Sequence, residues 1–412
     1  MNNSKIIFIL PNIYESINGV STKYINFINY VSIKCITVLF IPYKIINYEK
    51  HITNSNIKLI KTRGLNIPFY NDIKIPIINE DDLKKEIING DEIIIFNGEF
   101  IWLYTILNNL KKKYNNLKIY PTMHTDYVYY GNIVYSKYNF SYLLKHLENY
   151  LNKKIMSGII VTGQILKDKY LNYTDRVFNA NEVNLDIFKN PKYDTYESNF
   201  FNFIYCGRIS KEKNIEEILD SVYKLYQNNI HFNLNMIGDG PFLENLITII
   251  QIKYLQIKSL IIFHGNKSQE EINNLYKTLD NRIFIFTSLS ETFGKTPMEA
   301  AATGIPIFIK KSDITDLLYI DKKNAFIFEN SSSFLEQFQY FLKLDILEKK
   351  ILIDNNINNI LKYDQIEIFK NMFDFILDKN DNKNRDKVNI LDYFTLYGIS
   401  KLVNCTGNIL GE

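Results

Sequence analysis

Cysteine, histidine and tryptophan are scarce in this sequence. Of its 412 residues, three are cysteine, five are histidine and one is tryptophan. The cysteines, Cys35, Cys206 and Cys405, lie far apart and form neither a CxxC pair nor a Cys/His ligand pattern. The spacing therefore predicts neither a disulfide framework nor a structural zinc site.

Long apolar runs and an excess of one charge are also missing. The run Ile6–Leu10 ends at Pro11, too soon for a signal peptide, and we interpret it as a first strand. No uncharged stretch approaches the roughly 18–20 residues needed to cross a bilayer. We therefore expect a cytoplasmic protein. The net charge of only +3, from 48 basic and 45 acidic residues, gives no chain-wide reason to bind nucleic acid, and no such partner is expected.

Short β-branched or aromatic runs alternate with longer amphipathic segments. This alternation is typical of a doubly wound α/β fold with parallel sheets. In the first half it predicts strands at Ile6–Leu10, Cys35–Ile41, Glu92–Phe96, Leu117–Pro121 and Gly158–Thr162, and helices at Ser21–Ile33, Leu103–Lys113 and Tyr142–Lys154. In the second half it predicts strands at Phe203–Cys206, Asn233–Ile237, Ser259–Phe263, Ile283–Phe286, Ile305–Ile309 and Ala325–Phe328, and helices at Ile215–Gln227, Pro241–Leu255, Glu270–Thr278 and Pro297–Thr303.

A polar segment separates the two series. Lys189–Asp194 contains Pro191 and shows no periodicity, so it predicts a linker. The chain then divides into domains 1–189 and 190–376, and a tail, 377–412, that is predicted to return as a helix onto the first domain. Parallel sheets bind ligands beyond the carboxyl ends of their strands, so we expect the ligands in a cleft between the two domains.

The densest motif is Ser290–Pro306, which predicts a loop followed by a short helix. Thr296 suits the N-cap, Pro297 the first helical position, and Glu299 lies three residues after that cap, as in a capping box. The alternative is that the backbone N–H groups of Phe293–Thr296 face an anion, because an uncapped helix start binds phosphate.

The spacing Glu291-x7-Glu299 in this motif resembles the E-x7-E signature of glycosyltransferase family 4, the glycosyl transferases group 1. Further segments occur in the order typical of that family: Asn18-Gly19-Val20, His124-Thr125-Asp126, the GR-x4-K segment from Gly207 to Lys213, Gly238-Asp239-Gly240-Pro241 and Phe263-His264-Gly265. The resemblance spans about residues 5 to 330 and implies the GT-B fold, in which two Rossmann-like domains face each other across a cleft.

The resemblance also implies a function. Such enzymes move a sugar, with retention at the anomeric carbon, from a nucleotide-diphosphate-sugar donor to a glycan, lipid or other acceptor. A UDP- or GDP-sugar is the expected donor, and no metal or other cofactor is expected. The second half would bind the donor and the first half the acceptor.

Residue by residue, the resemblance assigns catalytic roles to His124, Arg208, Lys213 and Glu291. Arg208 and Lys213 would hold the diphosphate, Glu291 would face the sugar, and His124 would lie near sugar and acceptor. The donor-binding residues would be Gly19, Gly265, Asn266, Lys267, Phe293, Gly294, Lys295, Thr296 and Glu299. Taken alone, each cation is more often a solvated charge. Because only five of the 48 basic residues are Arg, however, a diphosphate-binding role is favoured for Arg208.

Three glycines usual in the family are altered here. Asn18 and Glu182 stand where the family has Gly, and Asn324-Ala325 replaces Asn-Gly. Three other functions stay open. A sugar-nucleotide epimerase can share this architecture, and a non-catalytic scaffold would keep the fold without the chemistry. A nucleic-acid-modifying enzyme is disfavoured because no nucleic-acid motif is present.

Two lysine clusters, Lys111–Lys113 and Lys153-Lys154, suggest peripheral contact with the cytoplasmic face of an anionic membrane, although the sequence alone favours a merely solvated helix end.

Overall fold

The computed structural model describes residues 4–11, 19–42, 54–67, 70–98, 100, 103–124, 156–172, 174–289, 291–312 and 314–378. Its two compact units are Met1–Asn181 with Ile368–Glu412, and Glu182–Glu367. The predicted helix Tyr142–Lys154 and the predicted tail beyond residue 378 lie outside the described residues.

The first unit is built around an eight-stranded sheet. Its strands are β1 (Lys5–Ile9), β2 (Ile36–Pro42), β3 (Ile57–Ile67), β4 (Tyr70–Ile77), β5 (Ile93–Asn97), β6 (Lys118–Met123), β7 (Ile159–Val161) and β8 (Val177–Asn179), and its helices are α1 (Gly19–Ser32), α2 (Glu80–Lys84), α3 (Leu103–Lys113) and α4 (Gln164–Leu171). The strand order is β4-β3-β2-β1-β5-β6-β7-β8. The β3–β4 pair is antiparallel, and the other described pairings are parallel.

The central strand β1 shows why the sequence pattern was informative here. Ile7 and Ile9 pack into one hydrophobic cluster, while Ile6 and Phe8 pack into the cluster on the other side. A strand buried on both faces is apolar throughout, as parallel sheets require. The five strands predicted for the first half are confirmed to within one or two residues at each end. Strands β3, β4 and β8 were not predicted. Strand β3 carries Lys58, Lys61 and Arg63 and is no continuous apolar run, and β8 has only three residues.

The second unit contains a six-stranded parallel sheet. Its strands are β9 (Phe200–Cys206), β10 (His231–Ile237), β11 (Ile261–Gly265), β12 (Arg282–Phe286), β13 (Ile307–Lys310) and β14 (Phe326–Phe328), and its helices are α5 (Ile215–Gln227), α6 (Leu243–Lys253), α7 (Gln269–Thr278), α8 (Lys295–Ala302), α9 (Thr315–Leu318), α10 (Ser331–Lys343) and α11 (Ile346–Ile360). A last helix, α12 (Gln365–Leu377), begins in this unit and continues from Ile368 as part of the first. The order is β11-β10-β9-β12-β13-β14. All six predicted strands and four predicted helices of this half are confirmed in position. Helices α9 to α12 were not predicted.

The units divide at Asn181/Glu182, whereas the sequence predicted the division at Lys189. Residues 182–189 join the second unit because the Val183 N–H donates to the Tyr363 carbonyl at 2.8 Å, and the Gln365 N–H donates to the Val183 carbonyl at 3.0 Å. Residues 368–376, predicted in the second domain, join the first unit because Phe369, Phe373 and Ile376 of α12 pack into its core.

The predicted linker Lys189–Asp194 has no regular structure, as expected, but it is tied into the second unit. The Asp194 carboxylate accepts from Nε of Arg282 at 2.7 Å, and the Arg282 side chain is fully buried. The Arg282 guanidinium also donates to the carbonyls of Tyr276 and Lys192, so the buried charge is surrounded by acceptors. The sequence did not predict this pair because its members are 88 residues apart.

We expect Asp194→Asn to destabilise the second unit by about 3–5 kcal/mol, because the Arg282 charge would stay buried without a counter-charge. Urea denaturation of the full chain, followed by hydrogen exchange in β12, measures this loss. Asp280→Asn is the matched control. Asp280 and Asp194 both pair with Lys192, but the Asp280 side chain is 80% exposed. A loss no larger than the control's would show that the buried pair contributes little.

Within the described ranges, no helix is long and apolar enough to cross a membrane.

Candidate functional site

The second unit's sheet has a topological switch point between β9 and β12. The chain runs outward through β10 and β11 on one side of β9, then returns to add β12, β13 and β14 on the other side. Ligands of open parallel sheets bind beyond the carboxyl ends of the strands at such a point. Arg208 and Lys213 follow β9, and Glu291 follows β12.

The backbone after β9 and the turn after β10 pack directly on each other. The Gly207 N–H donates to the Ile237 carbonyl, and the Ile209 N–H donates to the Asp239 carbonyl, both at 2.9 Å. A Cβ on Gly238 would lie 2.0 Å from the Gly207 carbonyl oxygen. The turn Gly238-Asp239-Gly240-Pro241 therefore packs closely against the backbone at Gly207. This contact fixes the segment that carries Arg208.

Lys213 and Glu291 form an ion pair. Their side chains are 20% and 18% exposed, so the pair is accessible to a solute at the switch point. Thr287, just beyond β12, holds the loop of Lys213 in place, because its hydroxyl lies 2.9 Å from the Lys213 carbonyl and 3.0 Å from the Asn214 carbonyl. The Leu289 N–H adds a bond to the Glu212 carbonyl at 2.9 Å. The structure thus brings together two residues that the sequence had assigned to the catalytic group.

Helix α8 begins one residue after Gly294, not after Thr296 as predicted. Gly294 is the N-cap with φ +71°, so Lys295, Thr296 and Pro297 are the first three helical residues. Pro297 is tolerated because the N–H groups of a first turn have no intrahelical partner. The capping-box interpretation of Glu299 is wrong, since Glu299 is the fifth helical residue. The N-cap Gly294 has no side chain with which to cap this helix start, so the first N–H groups of α8 are suited to a ligand acceptor.

Glu299 is part of a buried polar network. Its Oε1 accepts from Gln269 at 2.7 Å, and the residue is 4% exposed. Burial raises the pKa of the Glu299 carboxyl to about 7, although nearby Lys295 and the Gln269 hydrogen bond oppose that shift. The Lys295 ammonium donates to Oε1 of Glu182 at 2.7 Å. Burial lowers the pKa of Lys295, but the carboxylates of Glu182 and Glu299 outweigh it and leave that pKa above its usual value.

The remaining predicted donor-binding residues of this unit flank the network. Gly265, Asn266 and Lys267 connect β11 to α7, and the first two are exposed. Gln269, the first residue of α7, links this segment to Glu299. Phe293 is buried and packs edge-on against Tyr363, with ring centroids 5.0 Å apart.

His124 and Gly19 lie in the first unit. His124 Nε2 is 2.5 Å from the Tyr24 hydroxyl, and Nδ1 is 3.0 Å from the Thr162 hydroxyl, which also accepts from Lys23 at 2.7 Å. Burial and the Lys23 charge hold the pKa of His124 well below its usual value, so the ring is neutral at physiological pH. Gly19 is exposed and begins α1.

The sequence alone did not indicate several of these residues as part of a site. Glu182 was noted there only as a departure from the family pattern. Gln269 lies between Ser268 and Glu271, which form a capping box. Its position at a helix start therefore accounts for it without any functional role. Thr287 and Tyr24 carry no local signal, because their partners are distant in sequence.

The lysine cluster at the end of α3 is smaller than the sequence suggests. Lys111 is 8% exposed and donates to the Leu117 carbonyl at 2.6 Å. Lys112 and Lys113 remain exposed. The second cluster, Lys153-Lys154, lies outside the described residues.

Comparison with known proteins supports the family resemblance. The family described as Glycosyl transferases group 1 matches residues 187–357. An alpha-monoglucosyldiacylglycerol synthase of Acholeplasma laidlawii is 29% identical over 136 residues, which is 33% of this chain and 33% of the synthase. The enzyme of the same name from Streptococcus pneumoniae is 26% identical over 223 residues, or 50% of this chain and 49% of the enzyme. This chain therefore matches between a third and a half of these relatives' length.

The solved structure of Anabaena Alr3699/HepE in complex with UDP has the same fold. Its TM-score is 0.67 at 14% identity, and the match covers 90% of this chain and 98% of the Anabaena chain. The chain has the GT-B fold, and its resemblance to glycosyl transferases group 1 is confirmed. The family description and the synthase names favour sugar transfer over the epimerase and scaffold alternatives.

Proposed function

We propose that the chain is a glycosyltransferase that moves a sugar from a nucleotide-diphosphate-sugar donor to an acceptor hydroxyl, with retention at the anomeric carbon and without a metal ion. One observation carries this proposal. The Lys213–Glu291 pair lies at the switch point of the second unit's sheet, where parallel sheets bind ligands, inside the stretch matched by the family.

The donor diphosphate is held by cations and backbone donors of the second unit. Charge accumulates on the leaving diphosphate as the bond to the sugar breaks, so positive groups placed beforehand lower the barrier. Arg208 and Lys213 supply these groups, and the uncapped start of α8 adds backbone N–H donors around Lys295 and Thr296. The diphosphate competes with Glu291 for Lys213, and Glu291 is then left to contact the sugar.

The two other predicted donor contacts fit the same arrangement. The Glu299 carboxylate accepts hydrogen bonds from the ribose hydroxyls, and the exposed segment from Gly265 to Lys267 lines the base. The acceptor binds to the first unit. His124 is neutral there and both of its ring nitrogens face hydroxyls of Tyr24 and Thr162, so it acts near the acceptor by orienting these groups and not as a cation.

Donor and acceptor classes follow from the comparisons as proposals. A UDP-sugar is the first candidate donor, because the Anabaena structure of the same fold contains UDP. A lipid-linked acceptor is the first candidate acceptor, because the relatives are named for synthesis of a glucosylated diacylglycerol. Glycan acceptors are the second class. We place the reaction in the cytoplasm or at the cytoplasmic face of a membrane, with peripheral contact through the exposed lysines of α3.

A screen of UDP- and GDP-sugars tests the function directly. We expect one UDP-sugar to raise the melting temperature of the full chain, to hydrolyse slowly on its own, and to transfer its sugar when diacylglycerol vesicles or oligosaccharides are added. NMR of the product should show the donor's anomeric configuration. Inversion would exclude the retaining mechanism, and absence of binding by any nucleotide sugar would exclude the function. Release of an epimerised sugar without acceptor would indicate the epimerase instead.

A further inference from the structure

The second unit contains a lysine, Lys295, whose side chain is 15% exposed and whose ammonium interacts unequally with two carboxylates. Lys295 donates to Glu182 at 2.7 Å and interacts electrostatically with Glu299, which lies one helical turn further along α8. Side chains four residues apart on a helix lie on one face, so Lys295 could pair with Glu299 instead. In the structure it does not.

Glu182 holds Lys295 because Glu182 is itself fixed. Its other oxygen, Oε2, accepts from the Gln365 side chain at 2.6 Å in a fully buried contact, and the Glu182 side chain is 2% exposed. The backbone of the next residue is also tied down, because Val183 donates to the Tyr363 carbonyl and accepts from the Gln365 N–H. The Glu182 carboxylate is already oriented by its hydrogen bond from Gln365. It is therefore a better partner for the Lys295 ammonium than the Glu299 carboxylate, whose side chain would have to rotate to form the pair.

This arrangement leaves Glu299 with one oxygen available. Gln269 donates to Oε1, and Oε2 has no hydrogen-bond partner among the residues that the structure describes. The carboxylate is therefore suited to accept from a ligand hydroxyl. If Lys295 were released, it would take that oxygen, because an unpaired buried ammonium is strongly unfavourable.

We propose that Glu182 is a positioning residue for donor binding, which holds the Lys295 ammonium away from Glu299 and keeps a Glu299 oxygen free for the donor. The inference rests on the proposed function for the identity of the ligand. It explains a departure from the family pattern, since Glu182 stands where the family usually has Gly.

The ionisation of Glu299 is the direct readout. Among the described residues, the titratable groups that act on Glu299 are Lys295, Glu182, Cys206 and Tyr276. Burial raises the pKa of the Cys206 thiol to about 12 and that of Tyr276 well above its usual value, so both stay neutral near pH 7. Lys295 lowers the pKa of Glu299 and Glu182 raises it. Substitution of Lys295 and substitution of Glu182 therefore reveal their separate effects on the pKa of Glu299.

Carboxyl-carbon NMR titration of the full chain, with the Glu299 signal assigned by its loss in Glu299→Gln, gives that readout without any donor. We expect Glu299 in Glu182→Gln to titrate at lower pH than in the wild type, because Lys295 moves to it. In Lys295→Met it should titrate at higher pH, with Glu182→Gln/Lys295→Met between Lys295→Met and the wild type. An unchanged titration in Glu182→Gln would overturn the inference.

Donor affinity is the second readout, measured by calorimetry with the nucleotide sugar identified in the screen. We expect Glu182→Gln to bind it about tenfold more weakly at pH 8, the loss of one hydrogen bond to a charged group. The double variant should bind the donor more tightly than Glu182→Gln does, because no ammonium is left to occupy Glu299 and the Lys295 backbone N–H is unchanged. A double variant that binds no better than Glu182→Gln would overturn the positioning role.

Glu86→Gln is the matched control. Glu86 is a buried carboxylate of the first unit that also holds two donors, Lys5 at 2.8 Å and Lys58 at 2.6 Å. It should lower the melting temperature without changing either readout. If Glu182→Gln fails to fold, the double variant and Lys295→Met still decide. The inference makes Glu182 matter to the donor only through Lys295, so a double variant that binds the donor more weakly than Lys295→Met would overturn it. A wild type that binds no nucleotide sugar would exclude the proposed function, while the NMR titration would still test the network.

Discussion

Replacing Lys213 with Met should lower kcat for sugar transfer by about 10²–10³-fold while the protein stays folded. The reason is electrostatic. The diphosphate gains negative charge as the donor bond breaks, and Lys213 is a cation fixed at the switch point by the Thr287 and Leu289 hydrogen bonds. Its side chain is 20% exposed, so a cation there acts in a partly dry site where its effect exceeds that in water.

Lys211→Met is the matched control for this prediction. Lys211 and Lys213 are the first and last residues of a short 3-10 helix, Lys211–Lys213, and Lys211 is exposed. Its removal takes away the same formal charge but should leave kcat within a factor of about two, because exposed charges are screened by solvent. Equal losses in the two variants would mean that general charge, and not the position of Lys213, matters.

The ion pair with Glu291 makes a second comparison possible. Glu291→Gln should also lower transfer, since Glu291 contacts the sugar once the donor has drawn Lys213 away. The double variant Lys213→Met/Glu291→Gln should lose less than the product of the two single losses, because residues that act together are not additive. Steady-state transfer rates of the three variants give the coupling. Strict additivity would show that the two side chains act independently.

The sheets could be predicted from the sequence because their signal is local. Strands such as β1 and β12 are buried on both faces, so every residue of the apolar run reports burial. Strand β3 was not predicted because its charged residues interrupt that apolar pattern, and its pairing with β4 depends on a partner elsewhere in the chain. The motif residues Lys213 and Glu291 were found through the family resemblance, and the structure pairs them.

The family resemblance assigned Lys295 to donor binding, but its pairing with Glu182 could not be predicted, for a related reason. Glu182 and Lys295 are 113 residues apart, and Gln365 is 183 residues from Glu182. Each has an ordinary local explanation as an exposed polar residue. The helix start at Gly294 was misjudged because Thr, Pro and Glu made a favourable capping pattern, whereas the left-handed backbone of Gly294 ends the loop two residues earlier than that pattern requires.

Gly238→Ala should strongly lower the stability of the second unit. Gly238 has φ +129°, and an added Cβ would meet the Gly207 carbonyl oxygen at 2.0 Å, with the Gly207 carbonyl carbon at 2.9 Å. Both obstacles are backbone atoms, so relief requires the turn after β10 to separate from the segment after β9. We expect a loss of about 3 kcal/mol or more in the second unit. Hydrogen exchange of β9 and β10 in the full chain measures it.

Gly265→Ala separates the two causes of that loss. Gly265 also has a positive φ, +66°, but no atom of the described residues lies within 4 Å of an added Cβ. Its substitution should therefore cost only the backbone strain, about 1 kcal/mol. The difference between the two variants isolates the close approach of the turn to Gly207, the residue before Arg208. Because that approach fixes the Arg208 segment, Gly238→Ala should also weaken donor binding under conditions where the protein remains folded. Equal stability losses in the two variants would show that strain alone selects glycine at both positions.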